Sequence, residues 1–226
     1  MIKMVSSKWP WMAARALAET EASERNAARP PVVLVHGIFD TENAMRSWKR
    51  LLREQGYETF TITFQPASGH ASIGELAMQL DAFVREKVPE GQFHLVGHSM
   101  GGLVMRCYAQ RFDSAQRICG FVTLGSPHRG SWWAHTLTRA GCVDMRVGSA
   151  LLKELEAGDA KLAALQPLSI WTPFDLMILP CTSSIWDAAK NERVWLPSHP
   201  NLKHSRWLTA RVVKYLKERE QAEAVS

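Results

Sequence analysis

Long apolar runs are missing from this sequence of 226 residues. No stretch of about 18 consecutive apolar residues occurs, which argues against a membrane-spanning helix. The sequence also has no internal repeat, no glycine-rich phosphate loop, no zinc-type spacing of cysteine and histidine, and no basic stretch interleaved with aromatic residues. These absences argue against a membrane-spanning protein, a repeat protein and a nucleic-acid-binding protein.

Cysteine is scarce and widely spaced. The four cysteines are Cys107, Cys119, Cys142 and Cys181, and none belongs to a Cys-x-x-Cys pair. In a chain of this length we expect buried thiols rather than a disulfide framework. A single bridge between the neighbours Cys107 and Cys119 is left open by the sequence.

Composition and charge are those of an ordinary globular protein, with 46% hydrophobic and 22% charged residues. The length suits one domain, which we assign to residues 31–221, with a single substantial core. The net charge is +5, and much of the excess lies near the C-terminus. We interpret it as a solvated helix face, with no nucleic-acid partner; weak attraction to an anionic membrane surface stays open. The sequence gives no oligomeric state.

Residues 1–30 precede this domain as an N-terminal arm or helix. They contain Trp9 and Trp11, but Glu19, Glu21 and Glu24 interrupt any hydrophobic region, which argues against a cleaved signal peptide. The default expectation is therefore a cytoplasmic protein.

Strand and helix patterns alternate from residue 32 onward. Apolar or β-branched runs predict strands over residues 32–35, 59–64, 93–96, 120–124, 168–172 and 193–196. Amphipathic spacing predicts helices over residues 43–55 and 74–87, another to about 111, and a last one from about 203. This alternation predicts an α/β fold with a mostly parallel central sheet and helices on both faces. Residues 131–166 contain no predicted strand and are expected to form a small helical cap.

The segment Gly-His-Ser-Met-Gly at residues 97–101 lies between a predicted strand and a predicted helix. This is the setting of a nucleophile elbow, in which a strained turn lifts a serine hydroxyl above the sheet and leaves room only for glycine on either side. The helix that follows directs its N-terminal N–H groups and positive dipole end towards a developing oxyanion. We therefore predict Ser99 as a nucleophile.

A serine nucleophile needs a base and a group that orients the base. Asp175 follows the predicted strand at 168–172, and carboxyl ends of parallel strands gather functional groups. Two histidines, His199 and His204, follow the last predicted strand. We favour His204, which directly precedes the final helix, over His199, which lies between serine and proline as in an exposed turn. Ser99, Asp175 and His204 then follow the order expected after a nucleophile elbow.

An oxyanion requires two preorganised N–H donors. Met100, the residue after the nucleophile, supplies one. The loop after the first strand supplies the other, from Ile38 as first choice and Phe39 as second. His36, in the same loop, is expected to have a structural hydrogen-bonding role.

Three motifs together resemble the α/β-hydrolase superfamily, and most closely its bacterial triacylglycerol lipase and esterase branch. They are Val-Leu-Val-His-Gly-Ile at 33–38, Gly-His-Ser-Met-Gly-Gly at 97–102 and Leu-Gly-Ser-Pro-His-Arg-Gly-Ser at 124–131. The resemblance implies an oxyanion hole from Ile38 and Met100, an acid loop around Asp175, and His204 as the histidine. One departure is the bulky Leu176 directly after the acid, where the family has glycine or a polar residue.

The reaction that we predict for these residues is acyl transfer from an ester to water through an acyl-enzyme on Ser99. It needs no metal or organic cofactor. We assign substrate contacts to Phe39, Trp132 and Trp133, which would line an apolar pocket for a small-molecule or lipid ester. A thioesterase or amidase with the same triad is the alternative. A non-catalytic binding protein with the same fold is the alternative from another class.

Overall fold

The computed structural model describes residues 29–112 and 115–223 of the chain. The strands are β1 Val32–Val35, β2 Thr59–Thr61, β3 Phe93–His98, β4 Ile118–Leu124, β5 Leu168–Trp171 and β6 Lys190–Arg193. The α-helices are α1 Arg46–Glu54, α2 Ile73–Lys87, α3 Met100–Arg111, α4 Ala140–Asp144, α5 Ala150–Ala157 and α6 Arg206–Glu223. Shorter 3-10 helices are Glu42–Met45, Ala115–Arg117, Trp132–Thr136, Asp159–Leu165, Cys181–Ser184 and His199–Lys203.

The strands form one six-stranded sheet in the order β2-β1-β3-β4-β5-β6, and every neighbouring pair is parallel. Alternate residues of each strand face opposite sides of the sheet. Val33 and Val35 therefore pack in a core with α2 and α3, while Val32 and Leu34 pack in a second core with α1 and α6. The predicted parallel sheet with helices on both faces is confirmed.

The boundaries of some elements differ from the prediction. The predicted helix at 43–55 begins as the 3-10 helix Glu42–Met45 before α1, and the strand predicted at 59–64 ends at Thr61. The last strand is Lys190–Arg193 rather than 193–196. It lies at the edge of the sheet, and its polar, mostly exposed side chains carry no apolar pattern that could predict it.

Residues 131–166, all described, divide into two parts. Leu151, Leu152 and Leu155 of α5 are buried in the same core as α3, so this part packs against the body of the domain. The preceding part, from Ser131 to Met145, borders the candidate site described below. The assignment of residues 131–166 as a small helical cap stays a prediction.

All four cysteines lie in the described part of the chain and are thiols, three of them buried. The expected thiols are therefore found, and the open bridge between Cys107 and Cys119 is not formed.

None of the helices within 29–112 and 115–223 is long and apolar enough to cross a membrane. The predicted N-terminal arm lies outside the described residues, apart from Arg29 and Pro30.

Candidate active site

Ser99 occupies the turn between β3 and α3 in a strained backbone conformation. Its φ of 56° and ψ of −127° are unusual for a residue with a side chain and are maintained only where the surroundings enforce them. The Ser99 N–H donates to the carbonyl of Leu124 at 2.8 Å, and the Ser99 carbonyl accepts from the N–H of Gly102 at 3.0 Å. The backbone on both sides of the turn is therefore fixed, as the nucleophile elbow predicts.

The glycines of the elbow are required by close contacts. A Cβ atom on Gly97 would lie 2.6 Å from Sδ of Met105 and 3.0 Å from the backbone carbon of Gly101. A Cβ atom on Gly101 would lie 2.5 Å from the backbone oxygen of Val35. Each distance is shorter than van der Waals contact, so both positions exclude larger residues and bring α3 against the end of β1.

The loop after β1 is held by His36. Its Nε2 accepts from the N–H of Phe64 at 3.2 Å, so Nδ1 carries the proton and donates to the carbonyl of Gly37 at 2.8 Å. Burial lowers the pKa of His36, which keeps the ring neutral and suited to this pair of bonds. The Gly37 carbonyl and the Ile38 N–H belong to one planar trans peptide and point in opposite directions. His36 therefore sets the direction of the Ile38 N–H.

The N–H groups of Ile38 and Met100, the predicted oxyanion donors, are available to a ligand, whereas the N–H of Phe39, the second choice, is not. The N–H of Phe39 donates to the carbonyl of Ala67 at 2.9 Å and is not available to a ligand. In the described residues the N–H of Ile38 has no such partner. Met100 is the first residue of α3, where an N–H has no acceptor within the helix. The structure therefore favours Ile38 and Met100 as the pair.

Asp175 is held at both carboxylate oxygens. Oδ1 accepts from the N–H groups of Met177 and Ile178 at 2.9 and 2.8 Å, and Oδ2 accepts from Nδ1 of His199 at 2.6 Å. The bulky Leu176 that follows is 81% exposed and does not disturb the loop, because only backbone groups of the next residues are used. The departure from the family pattern at this position is thus accommodated.

The expectation that His204 meets Asp175 is wrong. His204 is exposed at the end of the 3-10 helix His199–Lys203, whereas His199 at its start is buried against the carboxylate. The two histidines are separated by one short helical turn, which directs them to different surroundings. The dipeptide His199-Pro200 suggested an exposed turn, but the turn packs inward because Asp175 accepts the ring N–H.

His199 also lies close to the elbow. Its ring centroid is 4.6 Å from that of His98, the residue before Ser99, and its backbone oxygen is 3.4 Å from Nε2 of His98. A Cβ atom on Gly125, at the end of β4, would lie 3.0 Å from Nδ1 of His199. Nε2 of His199 is buried and has no hydrogen-bond partner within the described residues. This nitrogen is therefore available to a neighbouring hydroxyl.

His98 and His128, which lie in the other two motifs, are both buried. Burial, and then the neighbouring His199, lower the pKa of His98 well below its usual value. Burial also lowers the pKa of His128, which stacks on Trp186 with ring centroids 4.7 Å apart. Within the described residues no hydrogen bond joins either ring to Asp175, so neither competes with His199 for the carboxylate.

A small pocket opens beside Ser99. Its walls are mostly apolar and comprise Ile38, Ser99, Pro127, Ser131, Trp133, Ala134, Met145, Met177 and Ile178. Trp133, one of the predicted substrate contacts, lies in the wall, and its role in binding stays a prediction. Trp132 and Phe39, predicted for the same role, are 63% and 51% exposed and lie outside it, although the Phe39 ring is 6.5 Å from that of Trp133 in an edge-to-face arrangement.

Ser131 is a residue of this site that the sequence analysis missed. Its hydroxyl donates to the carbonyl of Met177 and accepts from the N–H groups of Trp133 and Leu179. The side chain thus joins the pocket wall to the loop that carries Asp175. Its position at the end of the motif 124–131 was the signal that could have identified it.

Within the described ranges, no cluster of three or more histidine, cysteine or acidic side chains is arranged to hold a metal ion.

Comparisons with known proteins relate the chain to thioesterases and lipases. The family model described as palmitoyl protein thioesterase matches residues 31–157, which include Ile38, Ser99 and Met100. Lysosomal thioesterase PPT2 of Mus musculus is 32% identical over 108 residues, which cover 45% of this chain and 35% of that protein. Triacylglycerol lipase of Burkholderia plantarii is 33% identical over 129 residues, which cover 52% of this chain and 35% of that protein. The chain thus matches about a third of the length of these relatives.

A solved structure extends the likeness to the whole fold. Lipase BlEst2 of Bacillus licheniformis, in its mature form, superposes with a TM-score of 0.72 over 84% of this chain and 92% of that chain, at 16% identity. The resemblance to the α/β-hydrolase superfamily, first seen in three short motifs, is confirmed at the level of the fold.

Proposed function

We propose a function from one premise: the chain belongs to the palmitoyl protein thioesterase family. We infer that it is a serine hydrolase that cleaves carboxylic esters of lipid-like or acylated substrates through an acyl-enzyme on Ser99. The observation that carries this proposal is the buried pair of Asp175 and His199, with its unpartnered Nε2, beside a serine in a strained turn. Folding alone does not require this combination.

The proposed reaction begins when Nε2 of His199 takes the proton of the Ser99 hydroxyl as Oγ attacks the ester carbonyl. Asp175 holds the ring with Nδ1 protonated and stabilises the imidazolium that forms. The N–H groups of Ile38 and Met100 stabilise the oxyanion, a contribution of about 3–4 kcal/mol per donor. His199 then protonates the leaving alcohol, and water releases the acid by the same steps in reverse order.

An apolar acyl group is supported by the pocket. Apart from Ser99 and the indole N–H of Trp133, the only polar group on its wall side chains in the described structure is the Ser131 hydroxyl, which three backbone groups already occupy. Such a pocket favours a hydrocarbon chain over a polar group because a polar substrate group would lose its water without gaining a partner. Met145 and Met177 give part of the wall flexible side chains that can adapt to the chain.

A thioester is the second candidate substrate, and the family model favours it. The same attack on the carbonyl carbon would release a thiol in place of an alcohol, and the residues proposed here would serve both reactions. The matched segment of the family model ends at residue 157, so Asp175 and His199 lie outside it.

The test is a panel of p-nitrophenyl esters from acetate to palmitate, beside palmitoyl-coenzyme A and a p-nitroanilide. Ester hydrolysis that is lost in both Ser99→Ala and His199→Ala would support the proposal, and the profile over acyl length would define the substrate. A preference for the thioester by kcat/KM would favour the second candidate. An inactive parent protein would favour a binding role for the fold.

Weak association with an anionic membrane surface is a further part of the proposal. Exposed apolar side chains follow four of the strands at the edge that carries the site: Phe39, Trp132, Phe174 and Trp195. Cζ of Arg139 lies 5.5 Å from the centre of the Phe39 ring, and Cζ of Arg193 lies 4.9 Å from the centre of the Trp195 ring. Co-sedimentation with vesicles that contain phosphatidylserine, weakened in Trp195→Ala, would support this association.

A further inference from the structure

An ion pair joins the loop after β1 to the turn that carries His199. Nζ of Lys203 lies 2.8 and 2.7 Å from the two carboxylate oxygens of Asp40. The side chains are 13% and 22% exposed, respectively, so the pair is largely shielded from water. A shielded pair interacts more strongly than a surface pair, and removal of one partner leaves the other poorly solvated.

The two ends of this ion pair are close in sequence to the reacting groups. Asp40 is two residues after Ile38, the proposed oxyanion donor. Lys203 is the last residue of the 3-10 helix that begins with His199, the proposed base. The ion pair therefore spans from the donor loop to the base-bearing turn, on either side of the elbow.

Both segments lie outside the sheet, so strand pairing does not fix the distance between them. The 3-10 helix His199–Lys203 is not part of the sheet, and the Nε2 atom of His98 is a long 3.4 Å from the backbone oxygen of His199. The donor loop contains Phe39 at a φ of 61°, an unfavourable backbone conformation for a non-glycine residue. The carboxylate of Asp40 also lies 3.9 Å from Nδ1 of His98, so the ion pair borders the residue before Ser99.

We propose that Asp40 and Lys203 are positioning residues, which hold the Ile38 N–H and the His199 ring at a fixed separation across Ser99. This inference rests on the proposed function. Neither residue touches the reacting atoms, so their effect is on the alignment of groups that do. Misplacement of catalytic groups by about 1 Å lowers rates by about 100-fold, which sets the scale of the expected effect.

The test compares Asp40→Asn, Lys203→Met and the double variant in the hydrolysis of p-nitrophenyl butyrate. We expect kcat per titrated active site to fall by about 10- to 100-fold in each single variant, with KM within about threefold of the parent. The double variant should be no slower than the slower single variant, because the pair acts as a unit. Lys203→Arg should recover a substantial part of kcat by restoring the charge.

The matched control is the ion pair between Arg111 and Glu154, which joins α3 to α5 with two bonds of 2.9 and 2.8 Å. Arg111→Met and Glu154→Gln should leave kcat per site within about twofold of the parent. Active sites are titrated with a fluorophosphonate, so that a partly folded variant is corrected for its inactive fraction. The melting temperature of each variant is measured in parallel.

Two results would overturn the inference: kcat per site within twofold of the parent in both single variants, or losses that multiply in the double variant. Failure of the proposed function has a different signature, since the parent would then hydrolyse neither ester nor thioester. In that case the rate of phosphonylation of Ser99 replaces hydrolysis as the readout. An unchanged rate in both variants would contradict the inference, and a tenfold loss would support it.

Discussion

A carboxylate, a histidine and a nucleophilic side chain lie close together at each end of the parallel strands. We call these two ends the carboxyl edge and the amino edge of the sheet. At the carboxyl edge, Asp175 binds His199, whose second nitrogen is unpartnered close to the Ser99 elbow. At the amino edge, the chain is built from different residue types. Nε2 of His94 lies 3.2 Å from Oε1 of Glu220, and Nδ1 lies 3.3 Å from Sγ of Cys119.

The two edges have similar pairs of a carboxylate and a histidine, but the surroundings of Ser99 and Cys119 differ. Ser99 is in a strained turn at the start of a helix and lines a pocket. Cys119 lies inside β4, completely buried, and its thiol also lies 3.4 Å from the carbonyl oxygen of Phe93. A carboxylate and a histidine beside a nucleophile are therefore insufficient for the proposed chemistry. The turn, the N–H donors and access for a substrate distinguish the two edges.

The largest expected effect separates the two nucleophiles. Ser99→Ala should lower kcat by about 10⁴-fold or more, because loss of the nucleophile leaves only binding and the oxyanion hole. Cys119→Ser should leave kcat within about twofold, since no substrate reaches a buried side chain. Both are measured with p-nitrophenyl butyrate on protein of verified folded content. Equal losses would mean that the amino edge takes part in the reaction.

The second comparison concerns the two histidines that follow β6. His199→Ala should lower kcat by about 10⁴-fold, because Ser99 loses its base. His204→Ala should change it by less than about threefold, because that side chain is exposed and distant from the carboxylate. The measurement is kcat of the two purified variants by steady-state kinetics, compared with the parent. Retained activity in His199→Ala would remove the proposed base.

The third comparison concerns the two carboxylates. Asp175→Asn should lower kcat by about 10³- to 10⁴-fold, since the amide cannot hold the same histidine tautomer. Glu220→Gln should leave kcat unchanged but lower the free energy of unfolding by about 1–2 kcal/mol, because Glu220 accepts the hydroxyl of Tyr57 at 2.7 Å. Both variants are measured by guanidinium unfolding and by steady-state kinetics. A large loss of kcat in Glu220→Gln, with kcat retained in Asp175→Asn, would contradict the assignment of the reaction to the carboxyl edge.

The smallest expected effect is a pH dependence of stability. Burial lowers the pKa of His36, His98 and His128 below the usual 6.5. The unfolded chain therefore binds protons that the folded chain does not, and stability falls as the pH drops below about 6.5, by at most about 1.4 kcal/mol per pH unit for each histidine. Unfolding at pH 7.5, 6 and 5 should show this loss. His128→Gln should reduce the slope, and His135→Gln, an exposed control, should not.

The elbow and the sheet could be predicted because their signals are local. The strand before Ser99, the turn glycines and the helix after it lie within a few consecutive residues, each in a pattern that few other structures use. The cap of α2 is equally local, since Ser72 and Glu75, three residues apart, form reciprocal hydrogen bonds at the N-terminus of that helix.

The histidine could not be chosen from the sequence because the choice depends on contacts distant along the chain. His199 is directed inward by Asp175, 24 residues earlier, within a short turn that has no periodic pattern. The neighbours Trp132 and Trp133 likewise differ only in the direction that their 3-10 helix gives each side chain. Strand β6 was misplaced because an exposed edge strand has no apolar pattern.

The central claim is that His199, held by Asp175, activates Ser99. The most direct measurement is the rate of covalent labelling by a fluorophosphonate, with the modified residue identified by peptide mass spectrometry, in the parent, His199→Ala and His204→Ala. The account predicts one adduct per chain on Ser99, formed at equal rates in the parent and His204→Ala and at least about 100-fold more slowly in His199→Ala. Rapid labelling of His199→Ala, or an adduct on a residue other than Ser99, would contradict it.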